Sequence, residues 1–160
     1  MSLRANLFFS AVLTLPFSLL MRSRSPSVAT LRACPVTQPN GSPPPGQEPN
    51  RLDFGNGKLW TVLWPGGTVV FRPGGPGSVL PDGSMSMKFG WWRGVRGKLT
   101  IQGRRLDAAA PPLRARVPEG YGDTGFQSTA LIFPTQGCWE VTGKASKAEL
   151  TFVTEVRIDK

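Results

Sequence analysis

The chain contains no histidine. That removes the commonest general base near neutral pH and the commonest metal ligand. It has two cysteines, Cys34 and Cys138. With no imidazole to activate it, neither fits the pattern of a nucleophilic thiol. Ten acidic residues are scattered over 160 positions, and no two can be singled out as the paired carboxylates of a glycosidase. The glycine clusters GNG (55–57) and GGPG (74–77) lack a following GK[ST] and helix, which excludes a phosphate loop. No internal repeat is visible. The expectation is a non-catalytic protein with no metal and no cofactor.

Glycine and proline are plentiful, at 19 and 16 residues. They punctuate short strands and spoil long helices. With 39% hydrophobic residues the composition still supports a core, and 160 residues suit one domain. The clearest architecture lies at 120–158. Residues 126–133, 138–145 and 149–158 read as three strands, broken by Pro134-Thr135-Gln136-Gly137 and by Ser146-Lys147-Ala148. Leu150, Phe152, Val156 and Ile158 alternate onto one face, with Thr154 the polar exception. Trp139, Val141 and Ala145 do the same in the run before, with Cys138 on the opposite face. A period of two over three neighbouring runs predicts an antiparallel meander that needs a second layer. Upstream, KLWTVLWPGGTVVFR (58–72) reads as a hairpin turning on Pro65-Gly66-Gly67, with Trp60 and Trp64 on one face. Further strands are expected near 79–80, 85–89 and 98–106, with an edge strand at 113–117. Seven or eight short strands predict an all-β, antiparallel, immunoglobulin-like β-sandwich over 55–160.

Residues 34–54, rich in Pro, Gly and Asn, read as an extended linker or strap. Residues 1–33 read as a signal peptide or membrane anchor. Arg4 precedes an uncharged run, ANLFFSAVLTLPFSLLM (5–21). A small-residue cleavage site stands at Ser27-Val28-Ala29. Leu31-Arg32-Ala33-Cys34 offers a lipidation site. Arg22 and Arg24 directly after the run favour an uncleaved anchor. The formal charge is +9. Four arginines and no acid precede Cys34, so the 15 remaining basic residues against 10 acidic ones leave +5 beyond that point. Excess positive charge favours anionic surfaces, although it also simply keeps a sheet face soluble.

Cys34 and Cys138 are the disulfide candidate, which an oxidising compartment would permit. Closing a loop of that length contributes up to about 4.7 kcal/mol in the chain-entropy model. Lipidation of Cys34 is the exclusive alternative, and neither modification is the third. The candidate contact surface is KFGWWRGVRGK (88–98). In an extended chain Trp91 and Trp92 face opposite ways, so one is exposed. Arg93, Arg96 and Lys98 flank them and suit phosphate or cation–π contacts. The competing reading puts both tryptophans in the core. Glu119 and Asp123, in PEGYGDTG, suit either a calcium loop or a turn capped by Asp123. Tyr121 is the candidate for a tyrosine corner.

Four segments together resemble an uncharacterised family of short exported bacterial proteins and lipoproteins: CPVTQPNG (34–41), GNGKLWTVLWPGGTVVFRPGGPG (55–77), WWRGVRGKLTIQGRRLD (91–107) and GYGDTGFQSTALIFPTQGCWEVTGKA (120–145). The resemblance implies a secreted or lipid-anchored immunoglobulin-like sandwich and no assigned activity. The expected function is a non-catalytic cell-envelope protein that binds a surface component. Its partner would be an anionic envelope polymer, a lipid surface or another envelope protein, with no nucleic acid expected. Two alternatives stand beside it. One is a secreted hydrolase or protease inhibitor using the loop of Gly74, Gly75 and Gly77 or the loop at 120–125. The other is a purely structural spacer.

Overall fold

The computed structural model describes residues 33–159. The apolar run at 5–21 and the cleavage site at 27–29 lie outside the described residues.

Ten strands form two sheets. In the first, β1 (Asp53–Gly55), β2 (Leu59–Val62), β5 (Met85–Arg93), β8 (Gly125–Phe133) and β7 (Arg114–Arg116) lie in that order, and β4 (Gly77–Val79) pairs with β5. In the second, the order is β3 (Thr68–Phe71), β10 (Ala148–Ile158), β9 (Gly137–Ala145) and β6 (Leu99–Arg105). The count exceeds the expected seven or eight: the short β4 and β7 match the strands expected near 79–80 and 113–117, but β1, at the end of the stretch read as a linker, was not foreseen.

The core lies between the sheets. Leu59, Phe89, Trp91, Leu131 and Phe133 point into it from one side, and Val69, Phe71, Trp139, Val141 and Phe152 from the other. An aromatic cluster bridges the layers: Phe89 lies 5.3 Å from Phe152 and 5.6 Å from Trp91, centroid to centroid. Trp64 completes it at 4.9 Å from Phe89. Trp60 points away from this cluster, so the two tryptophans expected on one face lie on different sides of the sheet.

Two predicted pairings are replaced. The run at 58–72 is not a hairpin: β2 pairs with β5, while β3 crosses to the other layer and runs parallel to β10. Pro65–Gly67 forms a 3₁₀ turn, with Gly66 and Gly67 at φ 63° and 68°. That turn lets both halves put their apolar residues on the same core from opposite layers. The stretch 126–158 is likewise not a three-stranded meander. β9 and β10 form an antiparallel hairpin, but β8 belongs to the other sheet, between β5 and β7. Alternation records which face of a strand is buried, and that is the same whether the next strand is its neighbour or lies across the core.

The corner between β8 and β9 is held by Trp139, whose Nε1–H donates to the Thr135 carbonyl at 3.0 Å. Tyr121, the candidate for this role, is 37% exposed in the loop before β8. Thr154, the polar exception on the β10 core face, donates its hydroxyl to the Gly67 carbonyl at 2.9 Å. Its polarity thus satisfies a buried acceptor at the crossing turn.

Residues 34–52 form a strap. Cys34 is disulfide-bonded to Cys138, with Cα atoms 5.4 Å apart and a separation of 104 positions in sequence. The same sulfur cannot carry a lipid, so lipidation of Cys34 is incompatible with this bond. Thr37 hydrogen-bonds Val153 of β10 through both its main-chain N–H and its hydroxyl. Asn40 then bonds Gly55 of β1. The strap therefore joins the two sheets along one side. At its Cys138 end, the hydrogen bond from Arg105 holds the Asp107 carboxyl below the usual carboxylate range. The same carboxylate accepts from the Cys138 N–H at 3.2 Å.

Candidate contact surface

Strand β5 continues through Arg93, so its side chains alternate to that point. Trp91 is fully buried, and Arg93 is 4% exposed. Both point into the molecule and neither can meet a partner. Trp92 lies between them on the outer face, half-buried, while Arg96 and Lys98 follow on the exposed connection to β6. Lys98 sits 3.7 Å from Glu119. Of the five residues singled out in sequence, three therefore reach the surface, and only Trp92 stands on the sheet.

Arg93 has a different job. Its guanidinium donates to the carbonyls of Gly97 and Gly122 at 2.8 Å, and to those of Asp123 and Tyr121 at 3.2 and 3.4 Å. The loop read as a possible calcium site does turn its carbonyls on a cation, and that cation is the chain's own arginine. Five donors in a fixed fork let one side chain gather several carbonyls, which a lysine does not match. Glu119 points to solvent, with its side chain 89% exposed. Asp123 is exposed as well, so no buried carboxylate pair forms here. A cleft of about 270 Å³ opens between Gly97–Leu99 and the loop at 117–123. Three nearby polar atoms, Trp91 Nε1, Arg93 Nε and Gln127 Oε1, are buried without a protein partner. All three are shut off from solvent, so a molecule in the cleft would not reach them.

The outer face of the six-stranded sheet is better formed as a surface. Register places Gly55, Trp60, Trp92 and Phe126 in one row across β1, β2, β5 and β8. Trp92 and Phe126 pack with centroids 4.8 Å apart, and Tyr121 meets Phe126 edge-on at 6.4 Å. Phe126 is 46% exposed, among the few large apolar side chains left open among the described residues. The rings rest on glycine. A β-carbon on Gly90 would stand 2.8 Å from the Phe126 ring, and one on Gly94 would stand 2.8 Å from the Trp60 ring. The absence of a side chain at these positions makes room for the Phe126 and Trp60 rings.

Phe126 was missed as a surface residue, whereas Trp60, in the same row, is buried. The signal was available: Phe126 is in phase with Ser128 and Ala130, not with Leu131 and Phe133.

No family model, curated protein or solved structure matches this chain. Its function is therefore argued from this geometry.

Among the described residues no three His, Cys, Asp or Glu side chains come together as a metal-binding group. Two apolar hollows border Pro111, Pro112 and Pro134 on one edge and Phe71, Val79 and Ile158 on another. Asp82 and Ser84 also line the first, where the Ser84 hydroxyl donates to Asp82 and Arg114 donates to both.

Proposed function

We propose that this is a non-catalytic, extracytoplasmic, immunoglobulin-like module that binds a component of the cell surface through the outer face of its six-stranded sheet. The observation that carries the binding role is the half-exposed Trp92–Phe126 pair. Aromatic rings left on a sheet face, with glycines beneath them, cost stability and solubility unless something covers them.

Strand order supports the immunoglobulin-like reading. β2-β5-β8-β7 opposite β6-β9-β10 matches the A-B-E-D and C-F-G sheets of that architecture. Trp139 takes the place of the corner tyrosine, bonding back to a carbonyl four residues upstream. The disulfide stands elsewhere, tying the strap to β9 rather than joining the two sheets. Placement outside the cytosol is supported by that disulfide, which reducing cytosol disfavours, and by the apolar run at 5–21. Kinship with short exported bacterial proteins is part of the same proposal.

The test is retention of the full chain on isolated bacterial envelopes, compared with a Trp92→Ala/Phe126→Ala variant. The expected result is retention by the wild type and at least a tenfold loss in the variant. Equal retention would remove the outer face as the binding surface.

A further inference from the structure

The outer face carries a second row, in which Arg116 joins Lys88, the first residue of the segment 88–98. Lys88 and Arg116 both stand opposite Ala130, one on each side of β8. Both are exposed, and no carboxylate pairs with either among the described residues. Two strand spacings separate their backbones, about 10 Å. Lys88 and Trp92 lie on the same strand and the same face, four residues or about 13 Å apart. Between the cationic row and the aromatic row the floor is Gly90 and Ser128, directly opposite each other. Ser86 continues the floor beyond Lys88 and faces outward with it. Across β2, β5, β7 and β8, the outward positions between the two rows carry no acid; on β1 the outward Asp53 is level with Gly90, but it is buried and its carboxylate accepts from the Asn50 N–H.

We infer that this face binds an acidic polysaccharide, laid along β5 from Trp92 and Phe126 to Lys88 and Arg116. The inference rests on the proposed binding role and names its ligand. Three features select this class. The Phe126 ring lies over Gly90 and the Trp92 ring packs on it at 56°, so the pair is braced on the sheet and leaves part of its ring surface open. The C–H face of a sugar ring stacks on such a surface, whereas entry into a lipid layer needs apolar groups that project. The negative face of the aromatic ring complements those C–H groups. The floor of small and hydroxyl side chains is level and can hydrogen-bond sugar hydroxyls. The cations stand more than one sugar ring away from the aromatics, so they would meet the charge of a second residue in a chain. A single acidic monosaccharide would not span both rows.

The experiment measures binding of the full chain to polygalacturonate, to neutral dextran and to phosphatidylglycerol vesicles at two salt concentrations. It uses the wild type, Lys88→Ser/Arg116→Ser, Trp92→Ala/Phe126→Ala, and Lys147→Ser as a cationic control on the β9–β10 turn. All substituted side chains are at least partly exposed, and a thermal melt verifies that each variant folds. Polygalacturonate should bind in preference to dextran. The Lys88/Arg116 variant should lose at least tenfold at low salt and much of the salt dependence. The Trp92/Phe126 variant should lose at least tenfold and keep the salt dependence. Lys147→Ser should change nothing. A loss with Lys147→Ser, one charge against two, that reaches half the logarithmic loss of the Lys88/Arg116 variant would overturn the inference, since binding would then follow net charge. Binding to vesicles but not to polygalacturonate, abolished in the Trp92/Phe126 variant, would overturn the polysaccharide and leave the binding face standing. Failure of the Trp92/Phe126 variant to alter binding to any probe would overturn both.

Discussion

The indole of Trp91 fills the space that a β-carbon on Gly143 would need: such an atom would stand 2.5 Å from two of its ring carbons. Trp91 comes from β5 in one sheet and Gly143 from β9 in the other. The two layers therefore close on each other through a large residue that meets the absence of a side chain. Gly143→Ala should destabilise the fold by about 1–3 kcal/mol, the usual cost of overpacking a filled core. Urea unfolding measures it. Gly90→Ala meets only the half-exposed Phe126 ring, which can swing away, and should cost less. Equal effects would mean that the layers are not packed through Trp91.

The Cys34–Cys138 bond closes a loop of 104 positions. In the chain-entropy model a loop of that size is worth up to about 4.7 kcal/mol. Reduction, or a Cys34→Ser/Cys138→Ser variant, should lower the denaturation midpoint by an amount of that order. Amide exchange at Thr37 and Asn40 should quicken first, because the strap is joined to the sheets by few other hydrogen bonds. A midpoint indifferent to reductant would show that the strap holds without its bridge.

Thr154→Val should cost about 1–2 kcal/mol, because it leaves the buried Gly67 carbonyl without its donor. Thr151 is on the exposed side of the same strand and shares a hydroxyl contact with Thr142. Thr151→Val should cost less. Matched denaturant curves for the two variants give the comparison.

Asp82 is held down from 3.8 to about 2, first by the Ser84 hydroxyl, then by the Ser84 N–H and by Arg114. Its folded value lies below its unfolded one. The stability it contributes is therefore complete above about pH 4 and disappears as the pH falls through about 2. Carboxyl NMR titration should place Asp82 near 2. Ser84→Ala should move it back towards 3.8 by more than Arg114→Gln does. The reverse order would mean that the arginine, not the hydroxyl, sets it.

Much of the burial pattern was legible in residue order. Trp139, Val141, Phe152 and Val156 point inward as their period of two requires, and the opposite faces of Trp91 and Trp92 follow from the same rule. The cysteine pair was legible because there is no second choice. Partner strands were not. Pro65-Gly66-Gly67 has the composition of a hairpin turn, yet it carries the chain across the core. Phe126 has the composition of a core residue and lies outside.

The fate of Arg93 was also hidden. In sequence it is one cation in a basic cluster, but four carbonyls from two loops surround it in the fold. The second half of the outer face was hidden for the same reason: Lys88 and Arg116 are 28 positions apart, and only the shared partner Ala130 brings them level.

By itself, the order of residues determined that this protein is built of short strands, which side of most of them is buried, and which two sulfurs can meet. The first two depend on neighbours one or two positions away, and the third on there being only two cysteines. The tertiary structure alone decided which strands pair, which arginine is enclosed, and which aromatics share a surface with which cations. Those depend on register between distant segments, and backbone hydrogen bonding across a ladder is nearly indifferent to the side chains that supply it.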